Sequence, residues 1–273
     1  MLDLFISPHL DDVIFSLGSF ILKSINPIII CTVFTKKNNE ILKTLDGDYY
    51  LYGDYTTRVR EDFTTIYNLK KNIIILHLDI PEEMFRATNN GIINIIHTKL
   101  NTIINTYSID SIYFPLAIGY HTDHKLIYET SLLLRNQNNI KYYFDYPYCT
   151  MIFNETIRLS DFGIFNKMYV NDIVLYYTNP INRSCPSVFR FVKIIYFLFI
   201  YLFNHIYYIF NTSIKYELDI YKTPINQKFG IMKGYKSQIN PIFGSEDNLY
   251  KTILKCPYEK VIRFKYSNYY TES

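Results

Sequence analysis

The sequence predicts an α/β fold, with a mostly parallel sheet, helices on both faces and an elaborated C-terminal end, and three observations carry this. Strand-like apolar runs alternate with longer segments of helical period through the first half of the chain. Turn-forming residues punctuate the alternation, as at Lys36-Lys37-Asn38-Asn39, Asn89-Asn90-Gly91 and Asn136-Gln137-Asn138-Asn139. Two clusters of His and Asp each lie just past a strand-like run, where open α/β sheets bind their ligands.

The elements follow in order. Leu2-Asp3-Leu4-Phe5-Ile6 reads as a short buried strand, and it runs into the first cluster, Ser7-Pro8-His9-Leu10-Asp11-Asp12. Helical patterning over 11–24, 58–70, 91–106 and 123–135 alternates with strand-like runs at 28–34, 72–78, 111–115 and 140–144. The second cluster, His121-Thr122-Asp123-His124, follows Ile112-Tyr113-Phe114-Pro115-Leu116. No internal repeat, Gly/Ser linker or block of like charge divides the 273 residues. Residues 1–150 are therefore expected to form the α/β core and 151–273 an elaboration of the same domain.

Within the elaboration, 194–214 carries no formal charge apart from a protonated His205, between Lys193 and Lys215. Its length meets the transmembrane criterion of roughly 20 residues. Asn204, His205, Asn211, Thr212 and Ser213 interrupt it, however, and tyrosines supply much of its apolar count. A buried or partly exposed helix is the expectation. A membrane-surface or lid element formed by 188–210, and a true span, stay open beside it.

A net charge of +3 and a pI near 8.4 are mildly basic, but Lys and Arg are scattered among acidic residues, so nucleic acid is not expected as a partner. The 28 Tyr and 20 Phe, with no Trp, fit an AT-rich coding bias better than a set of aromatic binding platforms. Cys31, Cys149, Cys185 and Cys256 form no C-x-x-C pair, which suits reduced structural thiols. Met1 leads straight into a strand-like run containing Asp3, unlike a cleaved signal. The expected location is cytoplasmic, with room for membrane-surface contact through 188–210, and an oligomer is left open.

Catalytic zinc commonly takes three His or carboxylate ligands and keeps a fourth position for water or substrate. His9, Asp12 and His124 can supply that set. Hydrolysis then needs a base for the water proton and a donor for the developing oxyanion; Asp11 fits the first role and His121 the second. His121 and His124, three apart at a helix start, can share a face, and Asp123 could fix a histidine tautomer. Taken singly, Asp11, Asp12 and Asp123 also read as helix N-terminal carboxylates that satisfy orphan amides. That reading leaves the paired histidines unexplained. His77, His97 and His205 sit alone in apolar or helical patterns and read as structural.

These residues resemble a known family. Ser-Pro-His-Leu-Asp-Asp at 7–12, with Gly18 after it, resembles the first motif of the LmbE/PIG-L family of zinc-dependent de-N-acetylases, and His-Thr-Asp-His at 121–124 resembles its His-x-x-His motif. Arg58-Val59-Arg60-Glu61-Asp62, Leu78-Asp79-Ile80-Pro81 leading to Phe85-Arg86, Pro115 to Gly119, Asp145-Tyr146-Pro147-Tyr148 and Tyr235-Lys236-Ser237-Gln238 extend the likeness over most of the chain. Leu10 stands for the usual proline, Val13 for a common Glu and Ser19 for the second glycine of a pair.

The resemblance implies a Rossmann-like three-layer sandwich and one Zn2+ held by His9, Asp12 and His124. It also implies Asp11 as general base, His121 as the group stabilising the tetrahedral intermediate, and Asp123 as the residue orienting His121. Arg86 is a candidate for gripping a substrate hydroxyl or phosphate, and Tyr120 for contacting substrate. The expected activity is removal of acetyl from an N-acetylated sugar or sugar conjugate, of the N-acetylglucosaminyl type. The alternatives are a metal-dependent amidase acting on another N-acylated metabolite, with 188–210 shaping an acyl pocket, and a non-catalytic binding or membrane-associated protein of the same fold.

Overall fold

In the computed structural model, residues 2–36, 54–86, 88–134, 139–166, 173–174, 176–177, 187–211 and 214–265 are described. Among them, seven strands share one sheet in the order β3-β2-β1-β4-β5-β7-β6. The parallel strands are β1 (Leu2–Ser7), β2 (Ile28–Phe34), β3 (Ile73–Ile80), β4 (Ile109–Pro115) and β5 (Asn139–Tyr143). On the β5 side, β7 (Tyr258–Lys265) and β6 (Lys215–Lys222) continue the sheet antiparallel. Every residue of β2 is buried, as a parallel strand covered on both faces requires, and its Ile-Ile-Ile-Cys-Thr-Val-Phe run supplies the apolar surface. The outer strand β6 is exposed throughout, and Lys215, Glu217, Asp219 and Lys222 charge that edge, which discourages edge-to-edge pairing.

The α/β expectation from sequence holds, with small shifts in the elements. The first-half helices are α1 (Asp12–Lys23), α2 (Tyr55–Leu69), α3 (Ile92–Thr106) and α4 (Thr122–Leu133). Helix α2 begins before the predicted 58 because the Asp54 carboxylate accepts from the Thr56 and Thr57 amides and satisfies the first turn. The strand order reverses at β1, which lies between β2 and β4, so the crevice between the carboxyl ends of β1 and β4 is the topological switch point. Both His/Asp clusters open onto it.

The later helices are α5 (Ile152–Ser160), α6 (Ser187–Phe210), α7 (Ile225–Met232), α8 (Lys236–Phe243) and α9 (Glu246–Lys255). The apolar segment is helix α6, and it is partly exposed. Ile194 and Phe197 are buried with Met151, Phe153, Ile157 and Tyr176 in a cluster separate from the main core, while most of its other apolar side chains are exposed. Thr212, Ser213 and Cys185 lie outside the described residues, as do Lys37 to Asn39 and Asn136 to Asn138. Cys31, Cys149 and Cys256 are free thiols.

Residues from the end of the chain hold the first helix in place. Helix α1 departs from helical geometry at Leu17 (φ −134°, ψ 17°), next to Gly18, where an added Cβ would lie 3.1 Å from Ile231 on α7. The Glu259 carboxylate of β7 accepts the Ser19 and Phe20 amides at 3.1 and 2.7 Å, and Lys228 of α7 donates to it at 3.3 Å. Glu259 and Lys228 are each 1% exposed, so neither charge can fall back on water. Glu259→Ala should destabilise the protein by about 3–5 kcal/mol, because a buried ammonium and two amides lose their partner together. Chemical denaturation checks this.

Candidate metal centre and active site

The loop after β1 leaves Asp11 uncommitted. Asp11 is the N-cap residue of α1, yet its carboxylate makes no capping hydrogen bond. The Ser7 hydroxyl accepts the Val13 amide at 3.2 Å instead and donates to the His9 carbonyl at 2.6 Å. Asp12 Oδ2 accepts the His9 amide at 2.8 Å. The capping reading of Asp11 therefore fails, and the carboxyl is free for another role.

After β4 the chain turns through three residues of positive φ, Ala117 (61°), Gly119 (85°) and Tyr120 (58°), before α4 begins. The Asp145 carboxylate accepts the Ile118 amide at 2.9 Å and fixes this turn from the end of β5. The Tyr148 ring packs so closely that a Cβ on Gly119 would stand 2.9 Å from it, and the same ring meets His124 edge-on at 5.6 Å. His121 caps α4: its Nδ1 accepts the Asp123 amide at 3.2 Å, which leaves the proton of a neutral ring on Nε2.

Three imidazoles gather at the crevice, with ring centroids 5.2 Å apart for His9–His121, 5.5 Å for His9–His124 and 5.2 Å for His121–His124. Two of them share one arrangement. His9 Nε2 is 2.9 Å from Asp123 Oδ2, and His124 Nδ1 is 2.6 Å from Asp145 Oδ1. Their other nitrogens, His9 Nδ1 and His124 Nε2, face a single oxygen, Asp12 Oδ2, at 3.1 and 3.3 Å. A carboxylate on one ring nitrogen sets the tautomer and turns the lone pair of the other toward a metal, as in carboxylate–histidine–metal triads.

The residues fit a metal ion. His124 Nε2 is buried without a hydrogen bond of good geometry, 3.3 Å from Asp12 Oδ2, so the pair can share a cation. His9, Asp12 and His124 can each bring one ligand atom within 4.8 Å of the others. His9, His121 and Asp123 meet the same criterion, but that second set is already engaged. Asp123 Oδ1 takes Arg86 Nη2 at 2.5 Å, its Oδ2 takes the Glu83 amide at 3.1 Å, and His121 Nδ1 is occupied by the Asp123 amide.

Electrostatics separates the roles. Burial works against a charged His9, but Glu82, Asp12 and Asp123 hold its pKa well above the ordinary value; Asp12 and Asp145 raise His124 to about 9 against the same burial. Asp12 resists its own burial through His124 and His9 and stays well below the usual carboxylate range. Asp11 goes the other way, pushed up to about 7 by burial and the adjacent Asp12 charge, with Arg58 and His9 opposing. Burial and the two neighbouring imidazoles push His121 down to about 3, so it is neutral near pH 7.

Three of the expected site residues are engaged within the protein. The Asp123 carboxylate holds His9 and Arg86, and only its backbone amide meets His121, so it does not orient His121 through its side chain. Arg86 is held by three partners within the protein. Its Nε bonds Asn89 Oδ1, its Nη1 the Pro81 carbonyl and its Nη2 Asp123, and the side chain is 3% exposed. Tyr120 likewise spends its hydroxyl on Asp161 Oδ2 at 2.7 Å and packs its ring against Phe197, so it lines the α5–α6 cluster.

Asp145 joins the site through His124, a role the sequence does not single out although its tetrapeptide is part of the resemblance. Its position just beyond the carboxyl end of β5 was the available signal, since that edge of the sheet is where ligands bind. Asp145→Ala should lower metal affinity roughly 10–100-fold, because His124 then loses the partner that fixes its tautomer. Metal content after dialysis against graded chelator would measure this. Gly119→Ala should cost more than about 1 kcal/mol in denaturation, since Ala resists positive φ and its methyl meets Tyr148.

No curated protein matches the chain in sequence. Among solved structures, it superimposes on a triple mutant of a deacetylase of the teicoplanin biosynthetic pathway with a TM-score of 0.65 at 16% identity, covering 98% of this chain and 100% of that one. It is similar to the A40926 pseudoaglycone deacetylase Dbv21 with a TM-score of 0.62 at 17% identity, covering 97% and 98%. It is similar also to the zinc-inhibited form of the teicoplanin deacetylase Orf2, with a TM-score of 0.64 at 16% identity and coverage of 98% and 100%. At these identities the likeness shows the α/β fold. Residues 4–133, which hold both clusters and the strands that position them, match the PIG-L (LmbE-like) family model, described as GlcNAc-PI de-N-acetylase.

Proposed function

We propose that the protein is a metal-dependent hydrolase that removes the acetyl group from the amide nitrogen of an N-acetylated sugar or sugar conjugate. One observation carries the reading. His9 and His124, each clamped by a carboxylate on one nitrogen, turn the other toward the same oxygen of Asp12, and an uncommitted Asp11 stands beside them. The family model supports it, as do structural relatives described as deacetylases of teicoplanin and A40926 biosynthesis, one of them in complex with teicoplanin.

His9, Asp12 and His124 would hold the ion, with zinc as the first candidate for a site of His and carboxylate ligands. Such an ion acts as a Lewis acid that acidifies water and polarises the amide carbonyl. Asp11 takes the proton of the attacking water; its pKa near 7 lets it accept that proton and then give it to the departing amine. His121, neutral and with its Nε2 proton free, donates to the charge that develops on the carbonyl oxygen. Asp123 and Asp145 hold His9 and His124 in orientation, and Arg86 neutralises Asp123 from behind.

Asp11→Asn should keep stoichiometric metal and lose turnover by about 10²–10⁴-fold, the range removed with a general base. His124→Ala should instead lose metal. Acetate release from N-acetylglucosamine conjugates, set beside release from longer acyl amides and monitored with metal analysis of each variant, tests the proposal. Full activity of Asp11→Asn would sink the base assignment, and preference for long acyl chains would move the substrate to the amidase alternative.

A further inference from the structure

We propose that the outward face of α6 docks the protein onto the surface of an anionic lipid bilayer, with the helix lying in the interface plane. This helix turns a broad apolar face to the outside. A surface helix of a soluble domain normally turns its apolar stripe inward and its polar residues to water. In α6 three polar groups turn inward: Arg190 Nη1 donates to the Tyr177 carbonyl at 2.7 Å, Asn204 Nδ2 to Asp161 Oδ1 at 3.0 Å, and the Tyr208 hydroxyl to the Asp161 carbonyl at 3.1 Å, while His205 is exposed and stacks on Phe165. The outward face is apolar along its length. Phe189 is 65% exposed, Phe199 66%, Leu202 59%, Phe203 60% and Phe210 82%, and no Asp, Glu, Lys or Arg of the helix is exposed.

The shape of this face favours a bilayer over a second helix. At 100° per residue the exposed apolar side chains cover an arc of roughly 160°, wider than the narrow seam one partner helix covers. Lipid covers a broad apolar face without a defined seam, and aromatic side chains suit the depth at which such helices settle. Charge agrees: leaving aside Arg190, whose guanidinium is turned inward, residues 162–215 carry Lys167, Arg183, Lys193 and Lys215 against the single acid Asp172. Basic residues flanking an interfacial helix are attracted to anionic headgroups. The inner stripe is tied to the protein through Ile194, Phe197 and Asn204, which sets the helix along the membrane surface rather than across the bilayer. Phe197 also packs on Tyr120 at 5.0 Å, beside His121, so docking would bring the rim of the crevice to the lipid surface.

The chain contains no Trp, so Phe203→Trp introduces a lone fluorophore on the outward face of the full-length protein. Its emission should shift to the blue on mixing with phosphatidylcholine/phosphatidylserine vesicles, and sedimentation should show about tenfold or greater preference for these over pure phosphatidylcholine. Phe199→Glu, Leu202→Glu and Ile206→Glu together should abolish vesicle binding while acetate release from a soluble N-acetyl substrate is retained. Absence of any vesicle association would overturn the proposal. So would a dimer in sizing chromatography that the triple variant dissolves, since the occupant would then be a second copy, and so would bound protein that only detergent extracts, which would indicate a span.

Discussion

The site depends on one convergence: a single oxygen of Asp12 is faced by His9 Nδ1 from its own loop and by His124 Nε2 from the loop after β4. Carboxylate and imidazoles are buried together, where an uncompensated charge would cost several kcal/mol. The cluster therefore needs cations, supplied either by protons on the two rings or by a metal ion in their place. This requirement explains the surrounding acids. Asp123 and Asp145 take the remaining ring nitrogens, Arg86 balances Asp123, and Arg58 balances Glu82 with an ion pair at 2.9 Å.

The two adjacent aspartates differ because their surroundings differ. Asp12 faces two imidazoles and remains ionised, whereas Asp11 faces mainly burial and the Asp12 charge and titrates near neutrality. Ser7 makes this division feasible by taking the helix amide that Asp11 would otherwise cap. A carboxyl that caps no helix amide, beside a cation site, is the arrangement a proton-transferring group requires.

The C-terminal part of the chain does more than enlarge the fold. It extends the sheet through β7 and β6, and Glu259 and Lys228 hold the interrupted α1, whose first residue is Asp12. Helix α6 packs beside Tyr120 and so borders the site. Glu259, Lys228 and α6 lie outside the segment that carries the family match, and they act on it through Ser19, Phe20 and Tyr120, which lie within.

By itself the sequence determined the alternation of strands and helices, because apolar period is a local property, and it marked His9, Asp11, Asp12, His121 and His124 as one divided site. Those residues stand at strand ends, a position readable from the runs before them. The tertiary structure decided which atom meets which. Arg86 and Tyr120 look like substrate contacts in sequence, but their polar atoms are spent on Asp123 and Asp161, partners 37 and 41 residues away. Asp145 gained its role for the same reason: its separation from His124 is closed only when β5 pairs beside β4. The orientation of α6 is likewise a tertiary fact, since the apolar count of a segment does not say which side faces the protein. Hydrogen bonds between side chains distant in sequence are set by the register of the sheet, and no local pattern encodes that register alone.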